Sequence, residues 1–144
     1  RSVLAAAVSG KMPAHVRCIF RGEVFHALRV RAGITQTDLA DDSGVSQSTI
    51  CRIERGTVDV DPGSFGQALG PLALTPALFE AQCARVDRFL RVVAGRAIPE
   101  RLGPWWARIA GVVDDRNFDA AARGLITFAT MQLLQREEAR RARA

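Results

Sequence analysis

The sequence has no tyrosine, two histidines and three cysteines, and each scarcity removes a class of protein. Cys18, Cys51 and Cys83 are odd in number, far apart and without a CxxC pair. Neither a disulfide framework nor a zinc site is expected, and a reducing cytoplasm is the expected compartment. His15 and His26 stand alone in the sequence, with no acid or thiol constellation near them, no Gly-rich phosphate loop and no metal-spaced cluster. The expectation is therefore a protein that is not an enzyme and carries no cofactor or metal, with His26 a helix-surface or core residue. No run approaches the roughly 20 apolar residues of a membrane span, and Arg1 to Gly10 only weakly imitates a secretory signal. A soluble chain without membrane partners follows. Strand-like alternation and internal repeats are missing as well, which leaves an all-α fold.

What the sequence does have is length, basic charge and helical periodicity. Its 144 residues suffice for one ordinary domain or two small ones sharing a core. The net charge of +5 is compatible with nucleic acid, although the arginine bias, with Lys11 the sole lysine among 20 basic residues, carries no functional weight. Distribution is more informative. Residues 1–31 hold six basic and one acidic residue, residues 32–80 two and seven, and residues 81–144 twelve and seven. An acidic middle is flanked by basic ends.

Residues 1–14 lack periodicity and are expected to be a flexible N-terminal segment. From His15 to Arg31 the apolar residues Val16, Ile19, Phe20, Ala27 and Leu28 recur at helical spacing, with a break expected at Gly22 and an end at Gly33. Thr35 is placed to cap a short helix to about Asp42, with Asp38 at the third helical position as an acidic capping box. Ser43-Gly44 supplies a turn, and Ser46 caps a further helix, Ser46 to Arg55, whose Ile50 and Ile53 point inward. Pro62 opens a short helix carrying Phe65, Leu69 and Leu72, which Gly70-Pro71 bends or ends. Thr75-Pro76 starts a long helix to about Ala94, with Phe79, Cys83, Val86, Leu90 and Val93 on one face and Arg85, Arg88 and Arg91 on the other. After a loop at 98–103, Pro104 begins a helix in which one of Trp105 and Trp106 is a core anchor. Asn117 then caps a last helix through Leu134 into the charged tail 136–144.

The stretch from Ala27 to Gly56 resembles the Xre family, the Cro/cI-type helix-turn-helix regulators. Leu28-Arg29, Gly33, Thr35-Gln36, Leu39-Ala40, Gly44-Val45-Ser46 and Ile50 to Gly56 carry the resemblance. The types suit the geometry: small Ala40 lets two helices approach, Gly44 permits the tight turn, and Val45, Ile50 and Ile53 anchor the second helix while its other face stays open. The resemblance implies double-stranded DNA as partner and a nucleoid-associated place in the cell. Gln47, Ser48, Cys51 and Arg52 are then the base contacts, since Gln suits adenine, Arg suits guanine, and Cys51 offers an apolar contact to a thymine methyl. Gln36, Ser46, Thr49 and Arg55 are the implied backbone contacts, and Arg29 with Glu54 the implied buried structural ion pair.

Asp38, Asp41, Asp42, Asp59 and Asp61 make the motif acidic, so it is expected to bind DNA weakly by itself. The boundaries read from the sequence are 15–80 for a Cro/cI-like DNA-binding domain and 81–144 for a helical C-terminal domain. Arg85, Arg88, Arg91, Arg96 and Arg101 form either a solvated helix face or a second DNA-contacting surface. With the second surface the protein binds an asymmetric operator as a monomer, a layout similar to that of mycobacteriophage immunity repressors. The alternatives are a homodimer, with Phe118, Leu125, Phe128 and Leu133 at the interface unless they form an intramolecular core, and an antitoxin-type autorepressor whose C-terminal helices hold a protein partner.

Overall fold

The computed structural model describes residues 14–57, 60–95 and 118–143. The N-terminal segment, the 98–103 loop, the Pro104 helix with Trp105 and Trp106, and the Asn117 cap lie outside the described residues. Among the described residues all regular structure is helical: α1 (Ala14–Arg31), α2 (Gln36–Ser43), α3 (Gln47–Arg55), α4 (Pro62–Leu69), a 3-10 turn (Gly70–Leu72), α5 (Pro76–Gly95) and α6 (Phe118–Arg143). No helix among them is long and apolar enough to cross a membrane.

Local chemistry sets most of these ends. The Thr35 hydroxyl accepts from Asp38 N at 3.0 Å and starts α2, and Ser46 does the same for α3 from Thr49 N at 3.2 Å, each satisfying an amide that the first turn leaves open. Asp61 caps α4 by accepting from Ser64 N. Hydrogen bonds from the Ser64 hydroxyl and then from the Ser64 backbone N–H hold the exposed Asp61 carboxyl below its usual range. Gly44 closes α2 at φ +75°, a left-handed conformation that side chains disfavour. The bend expected at Gly70-Pro71 is the 3-10 turn.

Two expectations need correction. Helix α1 does not break at Gly22 but runs unbroken from Ala14 to Arg31. A Cβ at Gly22 would lie 2.6 Å from the Ile53 carbonyl oxygen and 2.9 Å from that of Glu54, so this glycine permits two backbones to meet rather than stopping a helix. Helix α6, expected to give way to a charged tail after Leu134, continues to Arg143. Its last turns are held from the side: Arg85 pairs with Glu137, Arg31 with Glu138, and the Arg136 guanidinium lies 5.0 Å above the Phe89 ring.

The core joins every element. Phe25 of α1, Phe65 of α4 and Phe79 of α5 form an aromatic trio with centroids 5.0–6.4 Å apart, and Leu39, Ile50 and Leu69 are fully buried around it. Ile126 and Ala129 of α6 belong to the same buried cluster, and Leu133 packs against it. Glu23 meets Arg123 and Thr127 whereas Arg31 meets Glu138, so α6 runs alongside α1 in the same direction. The boundary read between residues 80 and 81 falls inside α5, one continuous helix.

Candidate nucleic-acid interface

Helices α2 and α3 are joined at Gly44 and packed against each other, and α3 is fixed by its inner face against α1. Ile50 is fully buried, and Ile53 and Glu54 nearly so, while Gln47, Ser48, Arg52 and Arg55 are exposed. Thr49 and Cys51 are half-buried at the margin. One side of α3 is thus locked into the core while the other carries amide, hydroxyl and guanidinium groups outward.

The amino end of α3 gathers three hydroxyls. Ser46 Oγ lies 3.2 Å from Ser48 Oγ and 2.9 Å from Thr49 Oγ1, and Arg52 Nη2 donates to Thr49 Oγ1 at 3.3 Å. These groups, with the unpaired amides of the first turn, form a donor-rich end suited to phosphate or base edges. Arg52 is directed along the helix toward that end.

At the other end sits a buried polar cluster. Arg29 Nε donates to Glu54 Oε2 at 2.5 Å and Nη2 to Glu54 Oε1 at 3.1 Å, while Nη1 reaches the Ile34 carbonyl at 2.8 Å. His26 Nδ1 lies 2.7 Å from Glu54 Oε1, and Gln36 Nε2 donates to the same oxygen at 3.0 Å. Burial pushes the Glu54 carboxyl up, but hydrogen bonds from Arg29, His26 and Gln36, helped by the Arg29 charge, outweigh it and hold the group below its usual range. Glu54 is therefore an anion that ties α1, the start of α2 and the end of α3 together.

Sequence reasoning pairs Arg29 with Glu54 but does not attach His26. The signal is available: His26 and Arg29 are three apart on α1, hence on one face. Gln36, assigned to phosphate binding, spends one amide hydrogen on Glu54, and its second remains for another acceptor.

Two further residues act on the end of α3: Gly56, which the sequence places there with Arg55 as the close of the helix, and Arg123, which sequence reasoning misses. Gly56 closes the helix at φ +79°, and a Cβ there would lie 2.6 Å from the Cys18 carbonyl oxygen, so α1 and the end of α3 meet backbone to backbone at Gly22 and Gly56. Arg123 of α6 donates to the Arg55 carbonyl at 2.5 Å, the Glu54 carbonyl at 3.2 Å and Glu23 Oε2 at 2.9 Å. No local pattern marks it, because its partners lie up to 100 residues away.

Of the basic run on α5, Arg85 and Arg88 are exposed. Arg85 donates to Gln82 and pairs with Glu137 at 3.0 Å. For Arg91 only the backbone is described, and Arg96 and Arg101 lie outside the described residues. Asp38, Asp41 and Asp42 are exposed on α2.

A tight-turned helix pair with one polar face outward is the helix-turn-helix architecture. In agreement with that geometry, residues 22–82 match the family model of a helix-turn-helix domain. No curated protein and no solved structure matches the chain.

Proposed function

We propose that the protein is a sequence-specific regulator of transcription that binds double-stranded DNA, most specifically a repressor of phage immunity type. The observation that carries this reading is α3, anchored through Ile50, Ile53 and Glu54 while Gln47, Ser48 and Arg52 remain exposed on one face. A helix so presented enters the major groove, where Gln47 pairs with adenine, Arg52 with guanine O6 and N7, and Cys51 meets a thymine methyl. Ser46, Thr49, Arg55 and the second amide hydrogen of Gln36 take phosphate oxygens and fix the register.

The exposed carboxylates of α2 oppose phosphate binding, so the affinity is supplemented from elsewhere on the chain. The basic run Arg85, Arg88, Arg91, Arg96 and Arg101 is the proposed second DNA surface. Arg85 already serves Glu137, which leaves Arg88 as its clearer described member. Two different surfaces on one chain read an asymmetric operator as a monomer.

The test is titration of the full chain with its selected duplex. Arg52→Ala should relax preference at one guanine, at a cost of about 1–3 kcal/mol. Arg88→Ala should weaken binding to all sequences and reduce the salt slope. An unchanged slope would reject the second surface, and light scattering that finds two chains on a palindrome would reject the monomer.

A further inference from the structure

We propose that Arg123 is a positioning residue for α3, so that the C-terminal helix α6 sets where the DNA-reading helix sits; this rests on the regulator reading above. The last carbonyls of a helix have no partner within it and carry its partial negative charge. In α3 the Glu54 and Arg55 carbonyls are both taken by one guanidinium from a helix 68 residues further along the chain. That guanidinium is itself held by Glu23 of α1 at 2.9 Å, and Glu23 is steadied by Thr127 Oγ1 at 3.1 Å. Arg123 and Glu23 are only 29% and 13% exposed, so the bridge is shielded from water on its Glu23 side. The planar guanidinium fork can reach all three acceptors, because one Nη serves Glu23 and Glu54 while the other serves Arg55.

The clamp completes a set of constraints on one end of α3. Gly22 and Gly56 fix how closely α1 and α3 approach, Arg29 and Glu54 fix the inner face, and Arg123 fixes the terminal turn. Gln47 and Ser48 project from the opposite, amino-terminal turn of a helix of nine residues, and the Arg52 side chain, rooted in the last turn, is directed back toward them. A small tilt at the clamped end therefore displaces the base-contacting end, where correct geometry matters most. Phosphate contacts tolerate such a tilt better than bidentate base contacts do.

The experiment compares wild type with Arg123→Ala, Arg123→Lys and Glu23→Gln in the full chain. It reads affinity for the selected operator, affinity for a random duplex, the salt slope of each, and amide exchange at Gly56 and Thr57, whose N–H groups close the end of α3. Arg123→Ala should weaken operator binding about tenfold, leave random-duplex binding within about twofold and the salt slope unchanged, and speed the exchange. Arg123→Lys, a single ammonium that cannot fork, should recover only part of the operator affinity. Glu23→Gln, which keeps the fold and the acceptor but removes the charge, should lie between wild type and Arg123→Ala. Operator affinity unchanged in Arg123→Ala would overturn the proposal. Equal losses on both duplexes with a shallower salt slope would also overturn it, because Arg123 would then be a phosphate contact. If wild type prefers no sequence, the regulator reading fails by itself, and exchange still decides the clamp: faster in Arg123→Ala supports it, unchanged rejects it.

Discussion

Glu54, implied by the resemblance to be half of a buried ion pair with Arg29, is the centre of a larger polar cluster. Its carboxylate receives Arg29, His26 and Gln36 from two other elements. Because its folded-state pKa is depressed, its contribution to stability is fully present above the ordinary carboxylate range. That contribution is lost as pH falls through the lower, folded value. Glu54→Gln should flatten the acid limb of a stability–pH profile measured by denaturant unfolding, and it should lower stability at neutral pH by about 3–5 kcal/mol because Arg29 is left buried without its counter-charge. An unaltered acid limb would show that the carboxylate is not the group titrating. The Arg29–Glu54 pairing is legible through the resemblance to the helix-turn-helix regulators, which implies it. The place of His26 is only half legible: its spacing from Arg29 puts it on the same face of α1, but that it reaches Glu54 follows only from the crossing of α1 and α3. Burial pushes the Cys83 thiol up to about 12, in keeping with its reading as a core residue rather than a reactive one.

At the scale of elements, caps and turns are the most legible features, because Thr35, Ser46, Asp61 and Gly44 act on backbone groups within four residues of themselves. Helix-to-helix distances are not. Gly22 reads locally as a weak point in a helix, and its use appears only where α3 ends against it. The contrast with Gly70 gives a prediction. A methyl group at Gly22 collides with fixed carbonyl oxygens, so Gly22→Ala should cost about 1–3 kcal/mol. At Gly70, φ is −53° and nothing lies within 4 Å, so Gly70→Ala should be neutral or stabilise by up to about 1 kcal/mol. Thermal unfolding of the two variants checks both signs; equal effects would mean that α1 and α3 do not meet as closely as described. The end of α6 is hidden for a related reason: a run of arginine and glutamate reads as a tail until Arg31, Arg85 and Phe89 are seen beside it.

For the whole molecule, the arrangement of α6 matters most. Ile126 and Leu134 are buried and Ala129 is almost completely so. Burying each large apolar side chain is worth about 1.5–3 kcal/mol, and a small domain has only about 5–15 kcal/mol of net stability. Deleting residues 118–143 should therefore lower the melting temperature by about 10 °C, on the order of 2–4 °C per kcal/mol lost for a chain of this size, and should weaken sequence-specific binding with it. A truncated chain that melts like the intact one would mean that α6 is dispensable to the fold. The all-α class is readable from periodicity and capping, and the helix-turn-helix from the resemblance carried by residues 27–56. The way the far end of the chain returns to the motif is not, because packing between distant helices leaves only an apolar stripe that fits several partners equally well.

Whether α3 reads DNA sequence is tested most directly by selecting bound duplexes from a random pool, in parallel with wild type and Arg52→Ala. Wild type should enrich one consensus without two-fold symmetry, containing a guanine whose preference Arg52→Ala loses while the flanking preferences persist. A pool that emerges as random as it entered, or a consensus identical for the two proteins, would contradict a sequence-reading role for α3.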